Sequence, residues 1–159
     1  MPTPTVSDYE RERGKPMPSK LHSIVQTNLI GRFLSYRPEL QVLSELTLRL
    51  GDRDLTPDLC LYRDLDVDFS RDETQVTDPP LLTVEIASPT QGIQALVDKA
   101  QFLLDHGVAS CWVVQPQLRT VTIFTPETEP TTYSEGTVTD PATDVEVELA
   151  SIFSAGGES

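Results

Sequence analysis

The stretch from Leu81 to Pro116 decides the fold: LLTVEIASPTQGIQALVDKAQFLLDHGVASCWVVQP. Its composition predicts a buried strand from Leu81 to Ala87, a turn at Ser88-Pro89, an amphipathic helix from Gln91 to His106 and a second buried strand from Ser110 to Gln115. A strand, a helix and a strand in this order indicate a domain in which helices pack on a sheet.

One acid interrupts the first strand of this stretch. Glu85 lies in the run Leu-Leu-Thr-Val-Glu-Ile-Ala, where a carboxylate has no packing reason to be. Burying a charge is costly unless it is paired. We therefore expect Glu85 either to have a partner or to take part in chemistry.

The following helix supplies a possible partner for Glu85. Its apolar residues recur at helical spacing and predict one stripe facing the sheet: Ile93, Leu96, Val97, Ala100, Leu103 and Leu104. At about 100° per residue, Lys99 falls roughly a quarter-turn from the centre of that stripe. Its long stem can reach the sheet; a lysine extended along the surface into solvent is the alternative.

Composition suits one domain over residues 1–159, with residues 1–6 and 154–159 as flexible tails. No apolar run is long enough to span a membrane, and the N-terminal residues lack a signal-peptide core, so a cytoplasmic protein is expected. Cys60 and Cys111 both fall inside predicted strands, without a CxxC pattern or a histidine-rich neighbouring segment. Buried free thiols are expected there rather than zinc ligands or a disulfide.

The net charge of −13 argues against a protein that grips nucleic acid over a wide surface. The first 63 residues hold nine Lys and Arg against eight Asp and Glu, so a polyanion would have to meet this half of the chain. The basic candidates there are Arg11, Arg13, Lys15, Lys20, Arg32 and Arg37. A solvated helix face is the alternative reading of such a cluster.

Two helices are expected before the first strand. Ser7 and Glu10 have the spacing of a capping box, which predicts a short helix ending at Gly14. Ser19 can cap a longer helix that continues to about Tyr36, with a core stripe of Leu21, Ile24, Val25, Leu29 and Phe33. His22 and Gln26 project near the same side, so His22 is either a hydrogen-bonded core residue or faces a polar site under the helix.

A hairpin is predicted next. Leu40 to Leu50 alternates in polarity as a half-buried strand does, and Gly51 to Asp54 has the composition of a turn. The return arm, Leu55 to Tyr62, contains Pro57-Asp58, a pair suited to a strand entrance or edge. Shorter strands are predicted at Thr120–Thr125 and Thr137–Val138, and a strand or short terminal element at Asp144–Phe153.

Three residues combine into a candidate site: Asp58, Glu85 and Lys99. Carboxylates on adjacent strands can hold Mg²⁺ or Mn²⁺ while water and a substrate phosphate fill the other positions. A nearby lysine stabilises the pentavalent phosphate or orients the attacking water. That chemistry is phosphodiester hydrolysis, although Asp, Glu and Lys at variable spacing occur in any acidic protein.

Several segments of the chain resemble the Uma-two family of restriction-endonuclease-like proteins. They are Tyr9-Glu10, His22, Pro57-Asp58, the run Leu82 to Pro89, Lys99, and the run Gly107 to Pro116. The resemblance covers roughly Tyr9 to Phe153. It implies an α/β (α+β) fold of the PD-(D/E)xK nuclease type, a mixed sheet flanked by helices.

The resemblance also implies roles for the candidate residues. Asp58 and Glu85 would be metal ligands, and Lys99 would be the family's lysine, moved from the strand to the following helix; Ala87 occupies the usual lysine place. DNA would be the substrate and a homodimer the assembly, since two strand cuts need two sites. Glu10, Glu12, His22, Gln26 and Glu45 are the possible accessory residues.

Departures from the family pattern leave a second reading open. Ala95 and Gln115 stand where the family commonly has aspartate, and Lys15 stands where it commonly has glutamate. The chain is therefore expected to be a magnesium-dependent DNA endonuclease or, alternatively, a degenerate nuclease fold that acts as a binding module. A third reading holds Glu85 in an internal salt bridge without chemistry.

Overall fold

The computed structural model describes residues 17–156, whose centre is a six-stranded mixed sheet. The predicted capping box at Ser7–Glu10 and the candidates Glu10, Arg11, Glu12, Arg13 and Lys15 lie outside the described residues. The helices are α1 (Lys20–Phe33), continued by a 3-10 turn (Leu34–Tyr36), α2 (Ile93–Asp105) and α3 (Leu149–Ile152). The strands are β1 (Leu40–Ser44), β2 (Leu48–Leu50), β3 (Arg53–Leu55), β4 (Leu59–Arg63), β5 (Leu82–Ile86), β6 (Ser110–Gln115), β7 (Thr120–Phe124), β8 (Thr131–Tyr133), β9 (Thr137–Thr139) and β10 (Glu146–Glu148).

The strand order of the main sheet is β1-β4-β5-β6-β7-β8. Only β5 and β6 run parallel, because α2 crosses over between them, and every other neighbouring pair is antiparallel. Two small sheets, β2-β3 and β9-β10, complete the domain. The predicted α/β (α+β) fold, a mixed sheet flanked by helices, is confirmed.

The predicted strand from Leu40 to Leu50 is broken into β1 and β2. Leu40 pairs with Arg63 and Leu48 with Leu55 in one unchanged register, so β1-β4 and β2-β3 are two parts of a single long hairpin. The break has a cause in the sequence, since Pro57 falls opposite the gap and has no amide hydrogen to donate. Glu45 adopts a left-handed backbone there, with φ of 54°.

Each face of the sheet has its own apolar core. Leu59, Leu61, Leu82, Val84 and Ile86 pack against α1, and the opposite face packs against α2. Sequence periodicity placed Leu21 and Ile93 in these cores, but they are 45% and 58% exposed. Each lies in the first turn of its helix and lines a surface cavity instead.

Cys60 and Cys111 are buried thiols, as predicted. Their strands face α2, where small side chains let the helix approach the sheet. Between residues 17 and 156, no helix has both the length and the apolar composition to cross a bilayer.

Candidate active site

Glu85 is buried near the end of β5 and contacts Lys99 of α2. Its side chain is 9% exposed, and Lys99 Nζ lies 2.9 Å from its Oε2, with the length of a salt bridge but without the alignment of a hydrogen bond. Lys99 is 17% exposed, so its stem runs from the helix edge toward the sheet. Burial strengthens such a pair and makes removal of either partner costly, by about 3–5 kcal/mol.

Asp58 is fully buried immediately before β4, and the protein holds both of its carboxylate oxygens. His22 Nε2 of α1 lies 3.0 Å from Oδ1, and the backbone amide of Ile86 donates to Oδ2 at 2.7 Å. The Pro57-Asp58 sequence explains the position, because Pro57 lies opposite the hairpin gap and β4 begins two residues later, at Leu59.

Three acids lie in one row across three neighbouring strands. The β4-β5 register pairs Leu59 with Val84, and continuing it by one residue brings Asp58 opposite Glu85. The β1-β4 register continues in the same way, so Glu45 lies opposite Asp58, and the Glu45 amide donates to the Asp58 carbonyl at 3.1 Å. Glu45 is exposed, unlike the other two acids.

The candidate residues Asp58, Glu85 and Lys99 take part in two separate contacts, one on each face of the sheet. Lys99 reaches Glu85 from the α2 face, whereas His22 reaches Asp58 from the α1 face. The contacts meet where β4 begins and β5 ends, joined through Ile86, the next residue after Glu85 and a donor to Asp58. The structure therefore brings Glu85 to Lys99 directly and Asp58 to the adjacent backbone.

The accessory candidates on α1 also converge on Asp58. Gln26 Nε2 donates to the Asp58 carbonyl at 3.1 Å, one turn along α1 from His22. His22 is 3% exposed, and among residues 17–156 its Nδ1 has no hydrogen-bond partner. Both readings of His22 thus hold in part, because it is buried, hydrogen bonded and directed at the candidate site. Lys20, Arg32 and Arg37, the described members of the basic candidates, are all exposed.

Sequence reasoning did not pair His22 with Asp58. Glu85 and Lys99 are 14 positions apart within one strand-helix unit, so helical periodicity could relate them. His22 and Asp58 are separated by the entire hairpin, and only the packing of α1 on the sheet relates them. The sequence feature that pointed to this contact was a pair of polar residues, His22 and Gln26, on the buried side of α1.

The donor chemistry of this site suits a hard cation. Between residues 17 and 156, no group of three or more His, Cys, Asp and Glu side chains is arranged as a metal centre. Mg²⁺ commonly takes only one or two carboxylates from the protein and keeps water and phosphate as its other ligands. Each carboxylate offers about four lone-pair positions, so a carboxylate already held by protein groups can still take a metal ion as a further partner. Asp58 and Glu85 therefore fit such an ion.

Cys111, on β6 beneath α2, is not a candidate nucleophile. Burial, with a smaller contribution from the charge of Glu85, raises the pKa of its thiol to about 12. The thiol is protonated at neutral pH, and the protonated form is a poor nucleophile.

Comparison with known proteins agrees with this architecture. The sequence model of the Uma2 family, described as "Putative restriction endonuclease", matches residues 8–152. A solved structure described as a putative nuclease belonging to DUF820, from Anabaena variabilis ATCC 29413, is similar with a TM-score of 0.75. It is 22% identical, and the alignment covers 87% of this chain and 83% of that one. No curated protein matches the chain significantly.

Proposed function

The chain belongs to the Uma2 family of restriction-endonuclease-like proteins, and on that premise we propose that it is a metal-dependent endonuclease that hydrolyses phosphodiester bonds in DNA. One observation carries the proposal: two buried acids, Asp58 just before β4 and Glu85 on β5, lie opposite each other in the continued backbone register, and Lys99 Nζ lies 2.9 Å from Glu85. Buried acids of this kind are retained where they bind a cation or do chemistry.

Asp58 and Glu85 would hold Mg²⁺ or Mn²⁺. When bound, the ion supplies a Lewis acid for the phosphate and lowers the pKa of a coordinated water. His22 and the Ile86 amide fix the Asp58 carboxylate by one bond to each oxygen, so its orientation is set before the ion arrives.

Lys99 contributes a positive charge from the chain itself. The phosphate gains negative charge as the attacking oxygen approaches, and an ammonium group already held beside it stabilises that charge without reorganisation. The salt bridge to Glu85 prevents the lysine from turning into solvent. Lys99 is therefore assigned as the electrostatic catalyst, with Asp58 and Glu85 as the ligands.

The direct test is a plasmid-nicking assay with Mg²⁺, with Mn²⁺ and with a chelator, run beside the Glu85→Gln variant. The proposal predicts nicking with either ion, none with chelator, and a loss of at least about 100-fold in the variant. Glutamine preserves the shape of the side chain but removes the anionic ligand. Equal nicking by wild type and variant would contradict the assignment of Glu85.

A degenerate nuclease fold that acts as a binding module is the second candidate. It is favoured by the engagement of both Asp58 oxygens with protein groups and by Ala95 and Gln115 at the two positions noted above. This candidate predicts no nicking with any divalent ion, together with retained binding of nucleic acid or a protein partner.

We also propose a homodimer, since cutting both strands of a duplex requires two sites. Light scattering coupled to size-exclusion chromatography tests it, with twice the 17.6 kDa chain mass as the expected result and the chain mass as the contradicting one.

A further inference from the structure

Two adjoining cavities lead away from the candidate active site along α1. The first, of about 250 Å³, is lined by Ala87 and Ser88, which directly follow β5 and lie two and three residues beyond Glu85. The second, of about 490 Å³, extends to the segment after α3. The cavities share Leu21, Pro116 and Gln117, so together they form one groove, here called the α1 groove.

The charge of the α1 groove is opposite to that of the chain. Lys20 and Arg119 line its second cavity, and none of the described residues that line it is acidic, although the chain carries a net charge of −13. Both side chains are exposed. Within the described part of the chain neither forms an ion pair, whereas Lys99 and Arg49 do.

The floor of the α1 groove is apolar. Leu21 is 45% exposed although it lies on α1, and Ile24 and Phe153 are half-buried beside it. Leu118, at the rim, is 67% exposed. Solvent-facing apolar side chains grouped in a cavity indicate a site whose ligand has an apolar surface of its own.

We propose that the α1 groove binds an unpaired strand of the nucleic-acid substrate, with phosphates at Lys20 and Arg119 and with sugars and bases on the apolar floor. This inference rests on the proposed function, because Ala87 and Ser88, which line the groove, follow Glu85 by two and three residues. An unpaired strand exposes its phosphates and its base faces together, which matches cations above an apolar floor. A duplex hides its base faces, and the net charge of −13 opposes the wide contact that a duplex offers.

The test is binding of a fluorescent oligonucleotide, measured by anisotropy in EDTA with the full-length chain. The single strand and a duplex of the same sequence are titrated at several salt concentrations, with Lys20→Gln, Arg119→Gln and, as a matched control, Arg71→Gln. Arg71 is an exposed arginine that lines neither cavity.

If the α1 groove binds an unpaired strand, the protein should bind the single strand more tightly than the duplex. Lys20→Gln and Arg119→Gln should each weaken single-strand binding about fivefold at low salt and reduce the slope of log K against log salt by about 0.7. Arg71→Gln should leave both quantities within twofold. Wild-type affinity in both groove variants, or no single-strand binding by the wild type, would overturn the proposal.

The outcome separates this inference from the proposed function. Tight, groove-dependent binding without nicking in any metal would reject the nuclease and retain the α1 groove. Metal-dependent nicking, together with normal single-strand binding by the groove variants, would retain the nuclease and reject the role of the α1 groove.

Discussion

At the residue scale, the decisive feature is an acid that the core tolerates only with a partner. Glu85 is 7% exposed between residues of two apolar cores, and Lys99 supplies the opposite charge. The Glu85–Lys99 pair, taken alone, is consistent with an internal salt bridge that has no catalytic role. Asp58 lies opposite Glu85 in the continued β4-β5 register, so a second buried carboxylate belongs to the neighbouring chain segment, and two buried acids at one end of the sheet favour a cation site.

Replacing Lys99 separates the catalytic role from the structural one. Lys99→Ala is expected to reduce nicking by about 100-fold to 1,000-fold, because the phosphate loses a preorganised charge. The fold should persist in saturating Mg²⁺, with a lower thermal midpoint, because the bound ion replaces part of the positive charge that Lys99 supplied to Glu85. The measurement is nicking rate alongside the thermal midpoint in saturating Mg²⁺.

Lys99→Arg is the matched control for that variant, since it keeps the charge. It should recover part of the rate, and undiminished nicking by Lys99→Ala would remove this lysine from the mechanism.

Asp140 is a third buried acid, with a structural role. It accepts hydrogen bonds from Ser110 Oγ, Trp112 Nε1 and the amides of Ala142 and Thr143, which tie the loop before β10 to β6. Asp140→Ala should lower the free energy of unfolding by about 2–4 kcal/mol, because buried donors lose their acceptor. Urea denaturation measures it.

Asp144→Asn provides the comparison for Asp140→Ala. Asp144 is exposed and has a φ of 63°, a backbone conformation that asparagine tolerates well, so stability should change by less than about 0.5 kcal/mol. Equal effects of the two variants would contradict the role given to Asp140.

At the element scale, the interrupted hairpin creates the site. A continuous strand would pair Asp58 in a ladder between β1 and β5 and leave its side chain on the α2 face. The gap opposite Pro57 instead frees the chain before β4, and the Asp58 carboxylate reaches His22 on α1 and the Ile86 amide. A proline that looks like a defect in the strand therefore positions a candidate ligand.

Two buried ionisable groups between α2 and the sheet, Cys111 and Tyr62, make the free energy of unfolding pH-dependent in the alkaline range. Burial raises the pKa of Cys111 to about 12 and raises the pKa of Tyr62 well above its usual range. The folded state therefore holds these protons more tightly than the unfolded chain. The stabilisation is complete below the unfolded pKa of each group, near 8.5 for cysteine and 10 for tyrosine, and is lost as pH rises toward the folded values.

Urea denaturation between pH 8 and pH 11 measures this loss. Stability should fall by about 1.4 kcal/mol per pH unit for each group that has begun to titrate in the unfolded chain. Cys111→Ala should remove the component that starts near pH 9. A pH-independent free energy of unfolding over this range would contradict the burial of both groups.

At the scale of the whole molecule, the sequence predicted what local periodicity encodes. The strand-helix-strand unit around Glu85, the hairpin turn at Gly51 and the buried thiols were predicted from neighbouring residues. Leu21 and Ile93 were assigned to the core wrongly, because periodicity identifies a helix face but not where the sheet beneath it ends.

Long-range packing supplied the rest of the site. The contact of His22 with Asp58 depends on how α1 crosses the sheet, and the α1 groove depends on where the segment after α3 lies. Neither feature corresponds to a regular residue spacing from which it could be predicted. The roles of Asp58, Glu85 and Lys99 stay predictions, because the family and the fold do not establish which residues perform the chemistry.

The central claim is that Asp58 and Glu85 together bind one divalent cation. Titration of Mn²⁺ followed by electron paramagnetic resonance measures it directly, without any substrate, in wild type, Asp58→Asn and Glu85→Gln. We expect one bound ion per wild-type chain and at least about tenfold weaker Mn²⁺ binding in either variant. Circular dichroism checks that each variant is folded. Equal Mn²⁺ affinity in all three proteins, or no bound ion in the wild type, would contradict the claim.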